Sequence, residues 1–229
     1  MFDIKKDPVF TGSFFMFAFA NLKRIMIRKL RFFIIAFFVA FQLQAQEKNS
    51  NYRIGLSYGF GSEFSNTDYT FENHFYKVQL YYKIKESRNF QYEVLVQPEI
   101  NFGKHQLLNY YFVKPEKPDF EQKRIEYMKM KEVMEYVLNI GFVVRKPIGK
   151  MCSIYILGSV GPLITDTETE RMSKGFAFAD VLALGFTVDY NKMQFDLRPS
   201  LRHVSNAGLG SSNAGYNTKN IEFGISYQP

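Results

Sequence analysis

Apolar and polar residues alternate along most of the chain after residue 50, with a period of two, in eight segments of about ten residues or more. The segments are 52–60, 75–84, 89–100, 132–144, 151–161, 175–188, 193–205 and 218–227. This alternation predicts β-strands that have one apolar and one polar face. No apolar run in this region approaches the roughly 20 residues of a membrane-spanning helix. The pattern therefore predicts an all-β fold.

The connections between these segments alternate in length. The three short ones are Lys85–Arg88, Lys146–Lys150 and Tyr190–Asn191, and the four longer ones are 61–74, 101–131, 162–174 and 206–217. Short turns at one end and long loops at the other are typical of outer-membrane barrels. We therefore expect an eight-stranded antiparallel transmembrane β-barrel of the outer membrane, with the long loops outside the cell.

The two faces of the last two segments indicate which side of the barrel meets lipid. In the seventh, an apolar row opposes a polar one: Met193, Phe195, Leu197, Pro199 and Leu201 against Gln194, Asp196, Arg198, Ser200 and Arg202. In the last segment, the apolar row consists of Ile221, Phe223, Ile225 and Tyr227, and Glu222 belongs to the opposite, polar row. Charged residues can pair inside a narrow barrel but are costly against lipid. A soluble barrel of the lipocalin type, with apolar residues inside, is the less favoured alternative.

The N-terminal region has the pattern of a secretory signal peptide. A basic segment begins at Met26, the apolar run 32–41 follows, and Ala45 precedes a polar stretch. About ten apolar residues are too few for a transmembrane anchor. We expect residues 1–45 to comprise an extension and a leader that starts at Met26 and is cleaved after Ala45. Residues 46–229 then form the barrel domain.

Composition and charge narrow the function classes. Aromatic residues make up 17% of the chain, which suits strands and membrane interfaces. The net charge of +7 comes mostly from residues 1–45, which hold 7 of the 29 basic and 2 of the 22 acidic residues and leave 22 − 20 = +2 for the rest. This balance argues against a nucleic-acid partner. The single cysteine, Cys152, cannot form an internal disulfide, and its neighbourhood predicts no metal site.

Candidate chemistry lies at the end of the seventh segment. The sequence there is His203-Val204-Ser205-Asn206-Ala207-Gly208-Leu209, followed by Asn213-Ala214-Gly215-Tyr216-Asn217. It resembles the lipid A 3-O-deacylase family, also called acyloxyacyl hydrolases, whose signature is His-x-Ser-Asn-Ala-Gly followed by an Asn-x-Gly turn. The resemblance implies an outer-membrane barrel that hydrolyses an ester-linked acyl chain of lipid A in lipopolysaccharide. It also implies Ser205 as nucleophile and His203 as its base, without a metal or cofactor.

The strand pattern agrees with this chemistry independently. His203 and Ser205 are two residues apart, so they share a face, and they continue the row assigned to lipid. Their strand leads into a long loop, which places them at the extracellular rim beside the outer leaflet. Backbone N–H groups of Asn206, Ala207 and Gly208 are candidate donors to an oxyanion, although the Asn206 side chain could instead orient the loop.

One position departs from the family pattern. The best-known members of the family carry an acidic residue fourteen positions after the histidine, where this chain has Asn217. An amide oxygen can accept the imidazole N–H and orient the ring, but it cannot stabilise an imidazolium as a carboxylate does. The alternative function is a non-enzymatic barrel, structural or adhesive, in which loops 101–131 and 162–174 bind a partner. A channel is disfavoured because side chains fill an eight-stranded barrel.

Overall fold

The computed structural model describes residues 50–64 and 66–229. The predicted extension and leader, residues 1–45 with a start at Met26 and cleavage after Ala45, lie outside the described residues. Eight strands make up most of the described chain. They are β1 (Tyr52–Glu63), β2 (Tyr69–Glu86), β3 (Gln91–Leu107), β4 (Lys131–Ile148), β5 (Cys152–Thr165), β6 (Gly175–Tyr190), β7 (Met193–Ser205) and β8 (Tyr216–Tyr227).

Each strand pairs antiparallel with its neighbours in sequence, and β8 pairs with β1 to close the barrel. Closure leaves no edge strand, so the backbone N–H and C=O groups of the strands are satisfied within the sheet. The prediction of an all-β, eight-stranded antiparallel barrel is confirmed. No helix in the described part of the chain is long and apolar enough to cross a membrane.

The strands extend further towards the long loops than the alternation predicted. The connection expected at 61–74 shrinks to 64–68, and the one expected at 101–131 shrinks to 108–130. Most outward residues in these extensions are polar or charged, which breaks the apolar alternation. In the β2–β3–β4 register Glu72 lies opposite Lys104, and Lys104 lies opposite Glu132. Cross-strand neighbours of opposite charge stabilise a sheet, so the strands continue beyond the apolar band.

The outer face of the barrel is apolar, as expected for contact with lipid. Seven of the eight strands expose large apolar side chains at alternate positions, including Leu56, Tyr76, Leu138, Ile156, Leu184, Leu197 and Phe223, and the outward apolar residues of β3 are partly exposed. Such an extensive exposed apolar surface is incompatible with a soluble monomer. The arrangement excludes the soluble-barrel alternative.

The interior combines ion pairs with apolar clusters. The Glu222 carboxylate accepts a hydrogen bond from Lys77 Nζ at 3.1 Å and lies 3.5 Å from the Arg198 guanidinium. The Arg202 guanidinium lies 2.9 Å from the Glu135 carboxylate. Arg198, Glu222 and Arg202 thus face inwards, as the polar row of the sequence predicted. Their burial requires pairing, since an isolated buried charge is costly. Apolar clusters of Tyr69, Phe71, Val204 and Tyr216, and of Tyr81, Leu95, Tyr155 and Leu157, fill space above and below this layer.

The longest loop folds over one end of the barrel. It contains a 3-10 turn, Tyr110–Phe112, and one helix, α1 (Phe120–Tyr127). Arg124 of α1 donates from Nε to the Val113 carbonyl at 2.8 Å, and the Tyr127 hydroxyl donates to Glu168 at 2.9 Å. Burial raises the pKa of Tyr127, and the hydrogen bond to Glu168 adds to this effect. The tyrosine is therefore a stable neutral donor that ties the loop to the β5–β6 connection.

Candidate active site

His203 and Ser205 lie on the outward face of β7, at the end that leads into the loop 206–215. His203 is exposed and Ser205 is half-buried, while Val204 between them is fully buried in the barrel. The alternation of the strand thus places both candidate side chains on the outward face. Among the described residues, no hydrogen bond involves His203 Nε2 or Ser205 Oγ, and the two side chains are not hydrogen-bonded to each other.

Asn217 lies directly opposite His203 in the β7–β8 register. Its Oδ1 is 2.7 Å from His203 Nδ1. Because an amide oxygen only accepts hydrogen bonds, Nδ1 carries the proton in this contact. The lone pair of a neutral imidazole is then on Nε2, the nitrogen that a general base would use. The amide at position 217 therefore selects both the orientation and the tautomer of the ring.

Gly215 lies against both candidate side chains. A Cβ built at this position would be 3.4 Å from His203 Cε1 and 3.5 Å from Ser205 Cβ, but only 2.6 Å from the Val204 carbonyl oxygen. The residue also has a φ of +60°, a conformation that favours glycine. The Asn-x-Gly turn thus allows the backbone to approach the histidine and the serine, so the two stretches of the motif form one site.

The Asn206 side chain organises the loop that follows Ser205. The residue is buried, and its Nδ2 donates to the Ser212 carbonyl at 2.8 Å. Its Oδ1 accepts the N–H of Gly208 at 3.1 Å, and its own N–H donates to Asn213 Oδ1 at 2.9 Å. Of the three N–H groups expected to serve as oxyanion donors, those of Asn206 and Gly208 are therefore already engaged within the loop.

The N–H of Ala207 differs from its two neighbours, because it has no hydrogen-bond partner among the described residues. Ala207 adopts a positive φ of 53°, which an L-residue rarely does. The hydrogen bonds of Asn206 hold the backbone in this conformation. Ala207 is thus the candidate donor that the loop geometry leaves free.

Sequence reasoning missed Arg171, which lies in the β5–β6 connection. Its guanidinium donates to the Gly215 carbonyl through Nε and to the Ala214 carbonyl through Nη2, the latter at 3.1 Å. The same group stacks on the Tyr69 ring, 4.4 Å from its centroid. No local motif marks this arginine, because its partners come from distant segments. It fastens the turn that supports both candidate side chains.

No group of three or more His, Cys, Asp or Glu side chains in the described part of the chain could hold a metal ion. Cys152 is a free thiol at the start of β5, at the opposite end of the barrel from Ser205. The candidate site therefore consists of His203, Ser205 and Asn217 with the loop around Ala207.

Comparison with known proteins confirms the family resemblance. Residues 118–226, which include the whole candidate site, match the model of the family described as lipid A 3-O-deacylase (PagL). No curated protein matches the chain.

Several solved outer-membrane structures are similar to it. The outer membrane enzyme PagL has 12% identity and a TM-score of 0.46, covering 74% of this chain and 97% of that one. Neisserial surface protein A has 8% identity and a TM-score of 0.46, covering 80% of this chain and 100% of that one. The N-terminal β-barrel domain of Pseudomonas aeruginosa OprF has 10% identity and a TM-score of 0.38, covering 76% and 97%.

Proposed function

We propose that this chain is an outer-membrane esterase that hydrolyses an ester-linked acyl chain of lipid A, the activity for which the lipid A 3-O-deacylase family is named. Ser205 is the nucleophile, His203 is the base, and Asn217 orients the imidazole. The observation that carries the proposal is the contact of 2.7 Å between His203 Nδ1 and Asn217 Oδ1 on the outward rim. It leaves the Nε2 lone pair of His203 free on the same outward face of β7 as Ser205.

The reaction follows the general scheme of serine esterases. The Ser205 hydroxyl proton passes to His203 Nε2 while Oγ bonds to the acyl carbonyl carbon, whose oxygen takes the negative charge. The imidazolium then protonates the leaving sugar oxygen as its bond to the acyl carbon breaks. Water attacks the acyl-enzyme in a second, equivalent cycle that releases the fatty acid. The N–H of Ala207 is the proposed donor to the oxyanion.

The surroundings of the pair suit a lipid substrate. Phe178 lies opposite Ser205 in the β6–β7 register, and the exposed Leu201 precedes His203 on the same face. An acyl chain can lie along this apolar surface without leaving the membrane. The outward position of the pair, at the end of β7 that leads into a long loop, supports an outer-leaflet lipid as the substrate.

Substitution of the pair tests the proposal. Ser205→Ala and His203→Ala should each lower acyl release from purified lipid A by at least about a thousandfold, because the two groups act as a unit. Release is measured by mass spectrometry on purified, folded protein. Ser62→Ala and His74→Ala, which change the same residue types elsewhere on the outward face, are matched controls and should retain activity. Wild-type release by Ser205→Ala would favour the non-enzymatic barrel instead.

A further inference from the structure

One charged side chain interrupts the lipid-facing row of β6. The row is otherwise apolar and consists of Phe176, Phe178, Asp180, Leu182, Leu184 and Phe186. A carboxylate on the lipid face of a barrel is unfavourable, and more so the closer it lies to the bilayer midplane. Its presence in this row calls for a role that an apolar residue could not fill.

The register places Asp180 directly opposite His203. The other cross-strand neighbour of Asp180, on β5, is the apolar Val160. Residues directly opposite in an antiparallel pair have Cβ atoms about 4.5–5.5 Å apart. His203 therefore lies between two side chains of the same outward face, with Asn217 on β8 and Asp180 on β6.

Asp180 also differs from the carboxylates of the interior. Glu93, Glu135 and Glu222 each accept hydrogen bonds from buried cations, which accounts for their presence. No described residue forms a hydrogen bond or ion pair with the Asp180 carboxylate. A structural ion pair within the described chain thus does not account for it, and its titratable neighbour across the strand is His203.

We propose that Asp180 supplies the negative charge that Asn217 lacks. The task of a single catalytic acid is divided: Asn217 orients the imidazole, and Asp180 stabilises the imidazolium that forms when the Ser205 proton passes to Nε2. A nearby carboxylate favours the charged imidazole, most strongly in the low dielectric of a lipid-facing site. Asp180 is a positioning residue in this scheme, and the inference rests on the proposed Ser–His chemistry.

The test uses the purified, folded full chain and two readouts. The first is labelling by an alkyl fluorophosphonate, in which Ser205 Oγ bonds to phosphorus, fluoride leaves and the serine proton passes to His203. The second is acyl release from lipid A. Asp180→Asn should lower the maximal labelling rate and kcat by about 10- to 100-fold, because one charge interaction is lost. The inhibitor constant KI and KM should stay within about twofold, since ground-state binding is untouched.

Rescue separates a charge effect from a structural one. Asp180→Glu keeps the charge and should retain most of the rate. In the double variant Asp180→Asn/Asn217→Asp, the charge moves to the other side of the imidazole, and the rate should recover by about tenfold or more. Glu132→Gln, which removes a carboxylate from the outward face of β4, is the matched control and should change neither constant.

The outcomes distinguish the inference from the proposed function. Unchanged kcat and labelling rate in Asp180→Asn, or no recovery in the double variant, would overturn the role of Asp180 alone. Labelling of wild type without acyl release would refute lipid A as substrate, and the labelling rates would still test Asp180. Absence of Ser205 labelling in wild type would overturn both.

Discussion

Adjacent residues of β7 point to opposite sides of the barrel wall, so their position in the alternation decides which of them faces lipid. Arg202 is buried and paired with Glu135 inside the barrel, whereas His203 faces outwards and contacts Asn217. Because the side-chain period of a strand is two, a shift of one residue would exchange these environments. The catalytic role proposed for His203 thus depends on the register of the strand as much as on the residue type.

Asn217 gives the sharpest prediction at this scale. Asn217→Ala removes the acceptor of the Nδ1 proton, so the imidazole loses its fixed orientation and tautomer. We expect kcat to fall by about 10- to 100-fold while KM changes little, as for a residue that acts through the base. The measurement is steady-state acyl release from lipid A. Asn220→Ala, an inward-facing amide of the same strand, serves as the control, and an equal loss in both variants would contradict the specific role.

At the scale of elements, the site depends on two loops that the chain separates but the barrel brings together. The connection 166–174 meets the loop 206–215 through a bridge between Met172 and Asn213. The Arg171 carbonyl also accepts the N–H groups of Ala214 and Gly215, at 2.8 and 3.2 Å. These contacts hold the turn against which both candidate side chains lie. We therefore interpret the connection as a support for the site.

The side chain of Arg171 provides the test of this support. Arg171→Ala removes its hydrogen bonds to two carbonyls and its stacking on Tyr69, so the turn at Gly215 should loosen. We expect kcat for acyl release to fall by about tenfold, since small misplacements of reacting groups are costly. Hydrogen exchange of loop 206–215 should increase in parallel. Lys174→Ala in the same connection is the control. Unchanged hydrogen exchange of loop 206–215 in Arg171→Ala would contradict the supporting role of Arg171.

At the scale of the whole molecule, the barrel encloses buried ion pairs together with apolar clusters, and its outer face is apolar. The buried charges therefore need their partners. Glu93 is an example, because its carboxylate forms ion pairs with the guanidinium groups of Arg145 and Arg53, each at 3.1 Å. Both arginines are buried. Loss of this carboxylate would leave two buried cations without their common partner.

Glu93→Gln should therefore lower the free energy of unfolding by about 3–5 kcal/mol, the usual cost of breaking a buried ion pair. Glu86→Gln removes a carboxylate from an exposed pair with Lys83 and should cost less than about 1 kcal/mol. Urea titrations of the barrel in lipid vesicles measure both. Similar effects of the two substitutions would show that the interior network contributes little.

The sequence by itself determined the architecture and supplied the candidate site residues. Strict alternation and loop lengths sufficed for eight strands, because a strand in lipid must segregate polar from apolar residues at every second position. The motif drew attention to His203, Ser205 and Asn217, because its two stretches are short and local, and their catalytic roles stay a prediction. The bounds of β7 agree with prediction, since its apolar row runs to the loop. The leader ending at Ala45 stays a prediction.

Only the tertiary structure decided which distant residues complete the site. Asp180 lies opposite His203 through cross-strand register, and Arg171 holds the turn at Gly215 through loop contacts, neither of which a local pattern encodes. The sequence also did not show where the strands end beyond the apolar band. A stretch with charged outward residues reads like a loop until its cross-strand partners are known. The Asn206 hydrogen bonds, which leave Ala207 as the free donor, arise from loop closure. Barrel closure fixes all these neighbours at once, since each strand has two partners and one register with each.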